Sequence, residues 1–272
     1  MTPVPADRLS LSIVIPAFNE ARRISVTLDQ LSAFLAGQPW DWEIRVVDDG
    51  SADDTCAIVE AAARQESRIV LQREPHRGKG GAVKAGLLAS RADFRFLCDA
   101  DLSMPPAELP RFLPPVLQTF DLAIASREGR GATRVGEPWR RHFVGRLFNY
   151  AIRWLVVPGI ADTQCGFKMF TASSVRDIFP HVTLDGWAFD VEVLSIARTL
   201  GLRIVEVPIE WHYRAESRLS VVSDGARMLK DLFRIRARQR TLKKTPGAPG
   251  LQAGGMQQPT SRATLFFPTT PS

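Results

Sequence analysis

Short apolar runs alternate with helical segments along the first half of the chain. The apolar runs lie at 11–15, 43–48, 68–71, 94–99 and 122–126, and they have the length of buried strands. The segments between them predict helices at 20–35, 53–65, 80–90 and 107–119. Strands that alternate with helices in this way indicate an α/β fold, with a mostly parallel central sheet flanked by helices.

The pattern changes after residue 127. A loop rich in Gly and Arg at 128–136 leads into a mixed apolar and basic segment at about 138–157, and a second loop follows at 158–166. Beyond it we expect a helix at 189–200, a strand at 203–207 and a basic helix at about 222–240. We predict a single domain over 1–240 and a disordered tail over 241–272, where Pro and Gly are frequent and acids are absent.

The composition is that of a globular protein. Of 272 residues, 45% are hydrophobic and 24% are charged, which excludes a disordered or collagen-like chain. No uncharged apolar run reaches the ~18 residues that cross a bilayer, and no secretory signal is visible. The three cysteines lie far apart, which argues against a disulfide framework and favours a reducing, cytoplasmic setting.

Positive charge is concentrated in two stretches. The net charge is +6, and the local excess of Lys and Arg lies at 127–153 and 227–244. Charge distributed in this way predicts an anionic partner at those places. The lack of interleaved basic and aromatic residues argues against nucleic acid as that partner.

Five carboxylates follow three of the predicted strands: Glu20, Asp48, Asp49, Asp99 and Asp101. Ligands of open α/β sheets bind beyond the carboxyl ends of the strands, so we expect these side chains to converge on one edge. Crowded carboxylates require a cation or hydrogen-bond donors. The spacing of Asp99 and Asp101 suits a hard divalent cation, which takes oxygen ligands and keeps positions open for a diphosphate.

Several segments carry a specific combination of motifs. They are IVIPAFNE (13–20), VVDDGSADDT (46–55), RGKGGAVKAG (77–86), CDADLS (98–103), DTQCGFKMF (162–170) and WAFDVEVL (187–194). Together they resemble the inverting glycosyltransferases of family 2, and the later segments resemble the dolichyl-phosphate glucosyltransferase branch of the polyprenyl-phosphate enzymes. The resemblance covers about residues 10–235 and implies the GT-A nucleotide-sugar-binding fold.

The resemblance implies roles for residues of the donor site. The residues that correspond to nucleotide- and donor-binding positions are Pro16, Glu20, Asp48, Gly50, Lys79, Asp99 and Gln164. Asp99 and Asp101 would bind Mg²⁺ or Mn²⁺, and Ser103 stands where the mannosyltransferase branch can have a Gln as a further ligand. Asp190 and Glu192 lie in a block near the sugar, and Trp187 either stacks on the sugar or belongs to the core.

Arginines would bind the acceptor. Arg127 matches the family's arginine for the acceptor phosphate and the donor diphosphate, and Arg218 occupies another basic position. Arg141 is the third expected phosphate contact, although the sequence does not separate it from Arg140. Guanidinium groups bind phosphate oxygens bidentately. The expected catalytic set is therefore Asp101, Arg127 and Arg218.

The resemblance implies transfer of a hexose, glucose from UDP-glucose, to a polyprenyl phosphate such as dolichyl or undecaprenyl phosphate. A phosphate monoester is already anionic at neutral pH, so it needs no strong base. No enzyme nucleophile is evident, which favours a single displacement with inversion. The alternatives are GDP-mannose as donor, a saccharide hydroxyl as acceptor with a base from Asp190 or Glu192, and a non-catalytic module that binds an anionic polymer.

The segment at 140–157 places apolar residues, among them Phe143 and Leu147, near one face, with basic residues elsewhere. This pattern suits an interfacial helix on an anionic membrane, and it also suits a helix packed in the core. The basic stretch at 227–244 is a second candidate contact. Because the prenyl chain of the acceptor cannot leave the bilayer, we expect peripheral attachment on the cytoplasmic face of a membrane.

Overall fold

Strands and helices alternate from residue 10 to residue 97, as the pattern predicts. The computed structural model describes residues 9–138, 149–150, 152–213 and 221–242. Its first five strands are β1 (Ser10–Ala17), β2 (Asp41–Asp48), β3 (Ile69–Arg73), β4 (Phe94–Leu97) and β5 (Leu122–Ser126). The helices between them are α1 (Ile24–Ala36), α2 (Thr55–Gln65) and α3 (Lys79–Ala89).

The second half contains shorter elements. The strands are β6 (Thr133–Val135), β7 (Lys168–Thr171), β8 (Ile204–Pro208) and β9 (Glu210–His212), and the helices are α4 (Ala172–Ile178), α5 (Phe189–Thr199) and α6 (Val221–Leu242). Residues 149–150 and 152–155 are also helical. Residues 139–148 and 151 of the predicted 138–157 segment, and the predicted tail beyond Leu242, lie outside the described residues.

Seven strands form one sheet in the order β3-β2-β1-β4-β7-β5-β8. Every neighbouring pair is parallel except that β7 runs antiparallel to β4 and to β5. A separate pair, β6 and β9, is parallel. The predicted, mostly parallel sheet is confirmed. The carboxyl ends of β2, β1 and β4 lie side by side at one edge of it.

Both faces of the sheet are covered because residues of one strand point alternately to opposite sides. On β1, Ile13 and Ile15 belong to an apolar cluster with Leu28 of α1, whereas Val14 belongs to a second cluster with Val83 of α3. These side chains are fully or almost fully buried. Burial of each such side chain stabilises the fold by roughly 1.5–3 kcal/mol, so the central strands hold the site edge rigidly.

The prediction of a helix at 107–119 is wrong. This region contains only a short 3₁₀ helix, Pro106–Phe112, followed by irregular chain. Prolines interrupt it at positions 105, 106, 110, 114 and 115, and each proline removes a backbone donor. The sequence also did not reveal the short elements β6, β7, β9 and α4, whose patterns are too brief to show a period.

The helices were also compared with the length and hydropathy that a membrane-spanning helix needs. Within the described ranges, no helix is both long enough and apolar enough to cross a bilayer.

Candidate active site

The turns that follow β1 and β2 are joined by hydrogen bonds. Ser51 Oγ accepts a bond from the backbone N–H of Asn19 at 2.8 Å, and the Asn19 side chain accepts one from Ala52 N at 2.8 Å. The Asp48 carboxylate accepts bonds from Gly50 N and Ser51 N, both at 3.1 Å. Gly50 has a φ of 76°, which glycine adopts without strain. Asp48 thus holds the turn in which the resemblance places the nucleotide.

Asp49 holds a different loop. Its carboxylate accepts bonds from the backbone N–H groups of Arg77 and Gly78, at 2.8 and 2.9 Å, and it lies 2.9 Å from Nδ1 of His76. The side chain is buried. Asp49 therefore fixes the start of the RGKGG segment, a positioning role that its place in a DDGS turn did not reveal.

The glycines of this segment allow it to approach the 184–186 turn. Gly80 donates its backbone N–H to the carbonyl of Asp185 at 2.8 Å. A Cβ on Gly78 would lie 2.6 Å from that carbonyl oxygen, and one on Gly80 would lie 2.5 Å from the carbonyl of Leu184. No larger residue fits at either position, and the close contact places Lys79, the first residue of α3, beside the sheet edge.

Lys79 forms an ion pair with Asp99. Nζ lies 2.6 Å from Oδ1 of Asp99 and 5.8 Å from the ring of Trp187, which is 38% exposed. Burial disfavours the ammonium, but the charges of Asp99 and Asp190 outweigh it and raise the pKa of Lys79. Lys79 is therefore a permanent cation at the edge. Trp187 is exposed beside Lys79, so its alternative placement in the core is wrong.

Asp101 completes the carboxylate pair. Oδ1 accepts a bond from Ser103 N at 3.0 Å, and burial together with the charge of Asp99 raises the pKa of Asp101. Across the parts of the chain that the structure describes, no three or more Asp, Glu, His or Cys side chains surround one metal position. Two neighbouring carboxylates fit Mg²⁺ or Mn²⁺ that has its other positions filled by diphosphate oxygens and water.

The remaining acids of the edge are satisfied without a metal. Glu20 lies 2.6 Å from Nε of Arg23, and its backbone N–H donates to Thr55. Together with the partners of Asp48, Asp49 and Asp99, these contacts show how five carboxylates share one edge: backbone donors and two cations neutralise them.

The loop of the DTQCGF segment contacts the carboxylate pair. A Cβ on Gly166 would lie 1.9 Å from Oδ2 of Asp99, so only glycine leaves room for that carboxylate. Gln164 lies two residues away and is partly exposed, and its backbone N–H donates to Asp162 at 3.3 Å. The structure thus brings the Gln164 loop against Asp99, one of the residues that the resemblance assigns to the donor.

The same loop holds Arg127, which follows β5. Nε and Nη2 of Arg127 donate to the two oxygens of Asp162 at 2.7 and 2.9 Å, and the backbone N–H of Arg127 donates to it at 2.9 Å. Asp162 is buried and Arg127 is partly buried, and the guanidinium carbon of Arg127 lies 5.4 Å from the centre of the Trp211 ring. Burial opposes ionisation of Asp162, but Arg127 outweighs it and lowers the pKa of Asp162 to about 2.

This pairing leaves part of the guanidinium available. Among the described residues, Nη1 of Arg127 donates to no protein acceptor, while its charge is secured by Asp162 and its pKa is raised. Sequence reasoning selected Arg127 but missed Asp162, which no periodic signal distinguishes. The ion pair uses Nε and Nη2 of the guanidinium, and Nη1 is left as a possible donor to an anion.

Two further side chains support the 158–166 loop. Glu206 of β8 accepts bonds from Ala161 N and Asp162 N, at 2.9 and 3.0 Å. Asn149 donates to the Ala161 carbonyl at 2.6 Å and accepts from the Thr163 hydroxyl at 2.7 Å. The loop is therefore tied both to the sheet and to the helical residues at 149–155.

Asp190 and Glu192 have structural partners. Asp190 is buried in an ion pair with Lys168, which also donates to the Cys165 carbonyl. Glu192 accepts bonds from Thr183 N, Leu184 N and the Thr183 hydroxyl. Neither carboxylate is presented as a free base, because each one secures an element beneath the site.

Three predicted basic residues cannot be placed. Arg140, Arg141 and Arg218 lie outside the described residues, as do Phe143 and Leu147. Pro16 lies at the end of β1, paired with Val47, beside the turn that Asp48 holds.

Comparison with known families accounts for this arrangement. Residues 12–179 match the family model described as glycosyl transferase family 2. The chain belongs to glycosyltransferase family 2. It is a glycosyltransferase, and the resemblance inferred from the motifs is confirmed.

Similar curated proteins within the family are dolichyl-phosphate beta-glucosyltransferases. The chain is 35% identical over 248 residues to a dolichyl-phosphate beta-glucosyltransferase of Dictyostelium discoideum, covering 86% of this chain and 76% of the relative. The enzymes of the same name from Saccharomyces cerevisiae and Homo sapiens are each 31% identical, with 85% of this chain covered and 75% and 76% of theirs.

Solved structures show the same fold. Glucosyl-3-phosphoglycerate synthase from Mycobacterium tuberculosis, crystallised with Mn²⁺, UDP and glucosyl-3-phosphoglycerate, matches with a TM-score of 0.63 and 21% identity. The match covers 85% of this chain and 80% of that one. The expected GT-A fold of this glycosyltransferase is confirmed.

Proposed function

We propose that this glycosyltransferase transfers glucose from UDP-glucose to a polyprenyl phosphate, with a divalent cation and with inversion at the anomeric carbon. The observation that carries the proposal is the loop at 162–166, which contacts Asp99 through Gly166 and binds Arg127 through Asp162. It joins the carboxylate pair that would hold a cation, Asp99 and Asp101, to the arginine that would bind the second anion, Arg127. The dolichyl-phosphate beta-glucosyltransferase relatives supply the substrate class.

On the donor side, charge favours a nucleoside diphosphate. Lys79 stays protonated beside Asp99 and can contact a diphosphate oxygen through its ammonium. Asp99 and Asp101 would hold Mg²⁺ or Mn²⁺, which when bound would stabilise the negative charge of the departing diphosphate. The neighbour crystallised with Mn²⁺ and UDP supports this assignment.

On the acceptor side, the difficulty is to bring two anions together. Arg127 keeps its charge at all relevant pH values and has Nη1 directed away from Asp162. A phosphate monoester attacks as an anion, so no side chain has to remove a proton. The engagement of Asp190 and Glu192 with structural partners favours this acceptor over a saccharide hydroxyl, which needs a base.

A panel of donors and acceptors tests the proposal. UDP-glucose and GDP-mannose would each be offered with dolichyl phosphate, undecaprenyl phosphate, 3-phosphoglycerate or an oligosaccharide, with Mg²⁺, Mn²⁺ or EDTA. We expect product with UDP-glucose and a polyprenyl phosphate only, and none in EDTA. Product from GDP-mannose would overturn the donor, and product on 3-phosphoglycerate or the oligosaccharide would overturn the acceptor.

The proposed acceptor also sets the place of action. Its phosphate lies at the headgroup level of a bilayer, so the site must reach a membrane surface. We propose peripheral attachment on the cytoplasmic face, supported by the basic helix α6, which carries six Lys or Arg residues and two Asp.

A further inference from the structure

Three large aromatic side chains are exposed on two neighbouring elements. Tyr150 and Trp154 of the helical residues at 149–155 are 67% and 75% exposed, and Phe233 of α6 is 64% exposed. Tyr150 and Trp154 are both helical and are four positions apart, the spacing at which side chains of a helix share a face. Exposure of three large aromatics carries a cost in water and marks a surface that contacts something else.

The two elements pack against each other. Leu232 and Ile235 of α6 are buried in one cluster with Ile152 and Val156. Arg236 donates to the carbonyl of Leu155, which places the Arg236 flank of α6 towards the 149–155 helix.

Phe233 lies on that same flank. It is three residues before Arg236 on the helix, whereas Arg238, on the opposite flank, reaches Thr183 and Glu192. Tyr150, Trp154 and Phe233 therefore belong to one side of the molecule, here named the aromatic surface.

Positive charge surrounds the aromatic surface. Lys230, Arg234 and Arg236 of α6 are exposed, and Arg153 is partly exposed between Tyr150 and Trp154. Tyr and Trp rings favour the headgroup region of a bilayer, and Lys and Arg are attracted to anionic lipids.

The aromatic surface is connected to the site. Asn149, the residue before Tyr150, holds the Ala161 carbonyl and the Thr163 hydroxyl of the loop that carries Asp162. Asp162 in turn holds Arg127. A surface that meets the bilayer at Tyr150 thus lies a short chain of contacts from the arginine proposed for the acceptor phosphate.

We propose that Tyr150, Trp154 and Phe233 insert into the headgroup region of an anionic bilayer and attach the enzyme there. The role of this contact in presenting the lipid acceptor rests on the proposed function, whereas the contact itself is independent of it. The occupant is a lipid surface, because aromatic side chains are combined with a local excess of positive charge.

Vesicle sedimentation without substrates tests the contact. The full chain would be mixed with vesicles of phosphatidylcholine alone or of equal parts phosphatidylcholine and phosphatidylglycerol, at low and high salt. We expect binding to the anionic vesicles that weakens with salt. Serine at Tyr150, Trp154 and Phe233 together should lower the partition coefficient about tenfold or more, since apolar area no longer enters the interface.

A matched control uses exposed apolar residues elsewhere. Serine at Val26, Leu88 and Val116, which are 57%, 44% and 58% exposed, should leave vesicle binding within about twofold of the wild type. Equal binding by the aromatic variant and the wild type, equal losses in both triple variants, or no binding of the wild type to anionic vesicles would overturn the proposal.

Depth and activity provide independent measurements. Brominated phosphatidylcholine should quench tryptophan fluorescence in the wild type, and Trp154→Phe should remove most of that quenching; unchanged quenching would contradict insertion. The aromatic variant should keep its activity on a short-chain, water-soluble prenyl phosphate. An enzyme that binds vesicles but uses no prenyl phosphate would refute the proposed function and leave the aromatic surface intact.

Discussion

Two regions of the proposed site neutralise charge in different ways. The donor edge consists of Lys79 and the acids that follow β1, β2 and β4, and the Arg127 region consists of Arg127, Asp162 and Trp211. At the donor edge, carboxylates that follow β1, β2 and β4 are held by backbone N–H groups, by Arg23 and by Lys79. In the Arg127 region, one buried carboxylate, Asp162, accepts two hydrogen bonds from the partly buried guanidinium of Arg127 and one from its backbone N–H. The first arrangement leaves carboxylate oxygens for a cation, and the second leaves guanidinium N–H groups for an anion. The 162–166 loop therefore has carboxylates on one side, at Asp99, and a guanidinium on the other, at Arg127.

The largest expected effect is at the donor edge. Asp101→Asn should lower transfer about 100-fold or more, because a charged group that stabilises the leaving diphosphate is lost. Circular dichroism and thermal unfolding should be unchanged, since Asp101 follows the strand and lies outside the apolar clusters.

The matched control for Asp101 is Asp177→Asn, an exposed acid on α4. It should retain full activity. Unchanged turnover in Asp101→Asn, or full activity of the wild type in excess EDTA, would remove the proposed cation from the donor edge.

The Arg127 region should respond through the acceptor. Arg127→Ala should reduce kcat/KM for the polyprenyl phosphate about 10- to 150-fold, the loss of one charged hydrogen bond. The Kd for UDP, measured by calorimetry, should change little.

Arg134→Ala is the comparison variant for Arg127. Arg134 lies against the same Trp211 ring, but it pairs with Glu128 and Glu137. Similar losses in the two variants would mean that the region needs positive charge for packing and not for phosphate.

The loop between the regions offers a smaller perturbation. Gly166→Ala places a methyl group against Asp99, and overpacking of this kind costs roughly 1–3 kcal/mol. We expect weaker binding of Mn²⁺ and UDP, measured by calorimetry. Gly186→Ala, which has open space around its Cβ position, should bind them normally. Normal binding of Mn²⁺ and UDP by both variants would show that the contact between Gly166 and Asp99 does not affect donor binding.

The smallest effect concerns stability in acid. The Asp162 pKa is about 2 in the fold against an ordinary value of 3.8. A lowered pKa stabilises the fold above the ordinary value, and this contribution, about 2 kcal/mol, is lost as the pH falls through the folded pKa. Urea unfolding should therefore show wild-type stability falling between about pH 5 and pH 2.

Asp162→Asn provides the reference for that measurement. It should be less stable than the wild type at neutral pH, because it leaves the partly buried Arg127 without the carboxylate that accepts its hydrogen bonds. It should also lose less stability on acidification. If the free energy of unfolding of the two proteins changed in parallel with pH, the ion pair between Asp162 and Arg127 would not be the source of the acid sensitivity.

Much of the donor edge could be predicted because its parts are local. Lys79, Asp99 and Asp101 each lie within a few residues of a strand or helix boundary that the apolar pattern marks. Parallel strands necessarily bring their carboxyl ends to one edge, so the convergence followed from topology. The five acids have different roles, however. Asp48 and Asp49 are occupied by backbone N–H donors, whereas Asp99 and Asp101 are the pair proposed for a cation.

The apolar and polar pattern by itself determined the α/β class, the parallel strands β1 to β5 and the edge where the site forms. The reason is that strands and helices show as short repeats of apolar residues, which can be read from neighbouring positions in the sequence. Only the tertiary structure decided that β7 enters the sheet antiparallel, that Asp162 pairs with Arg127 across 35 positions, and that Gly166 contacts Asp99. Such contacts arise from close packing between distant segments. A single sequence carries no periodic signal for them, because they depend on where the completed sheet places each loop.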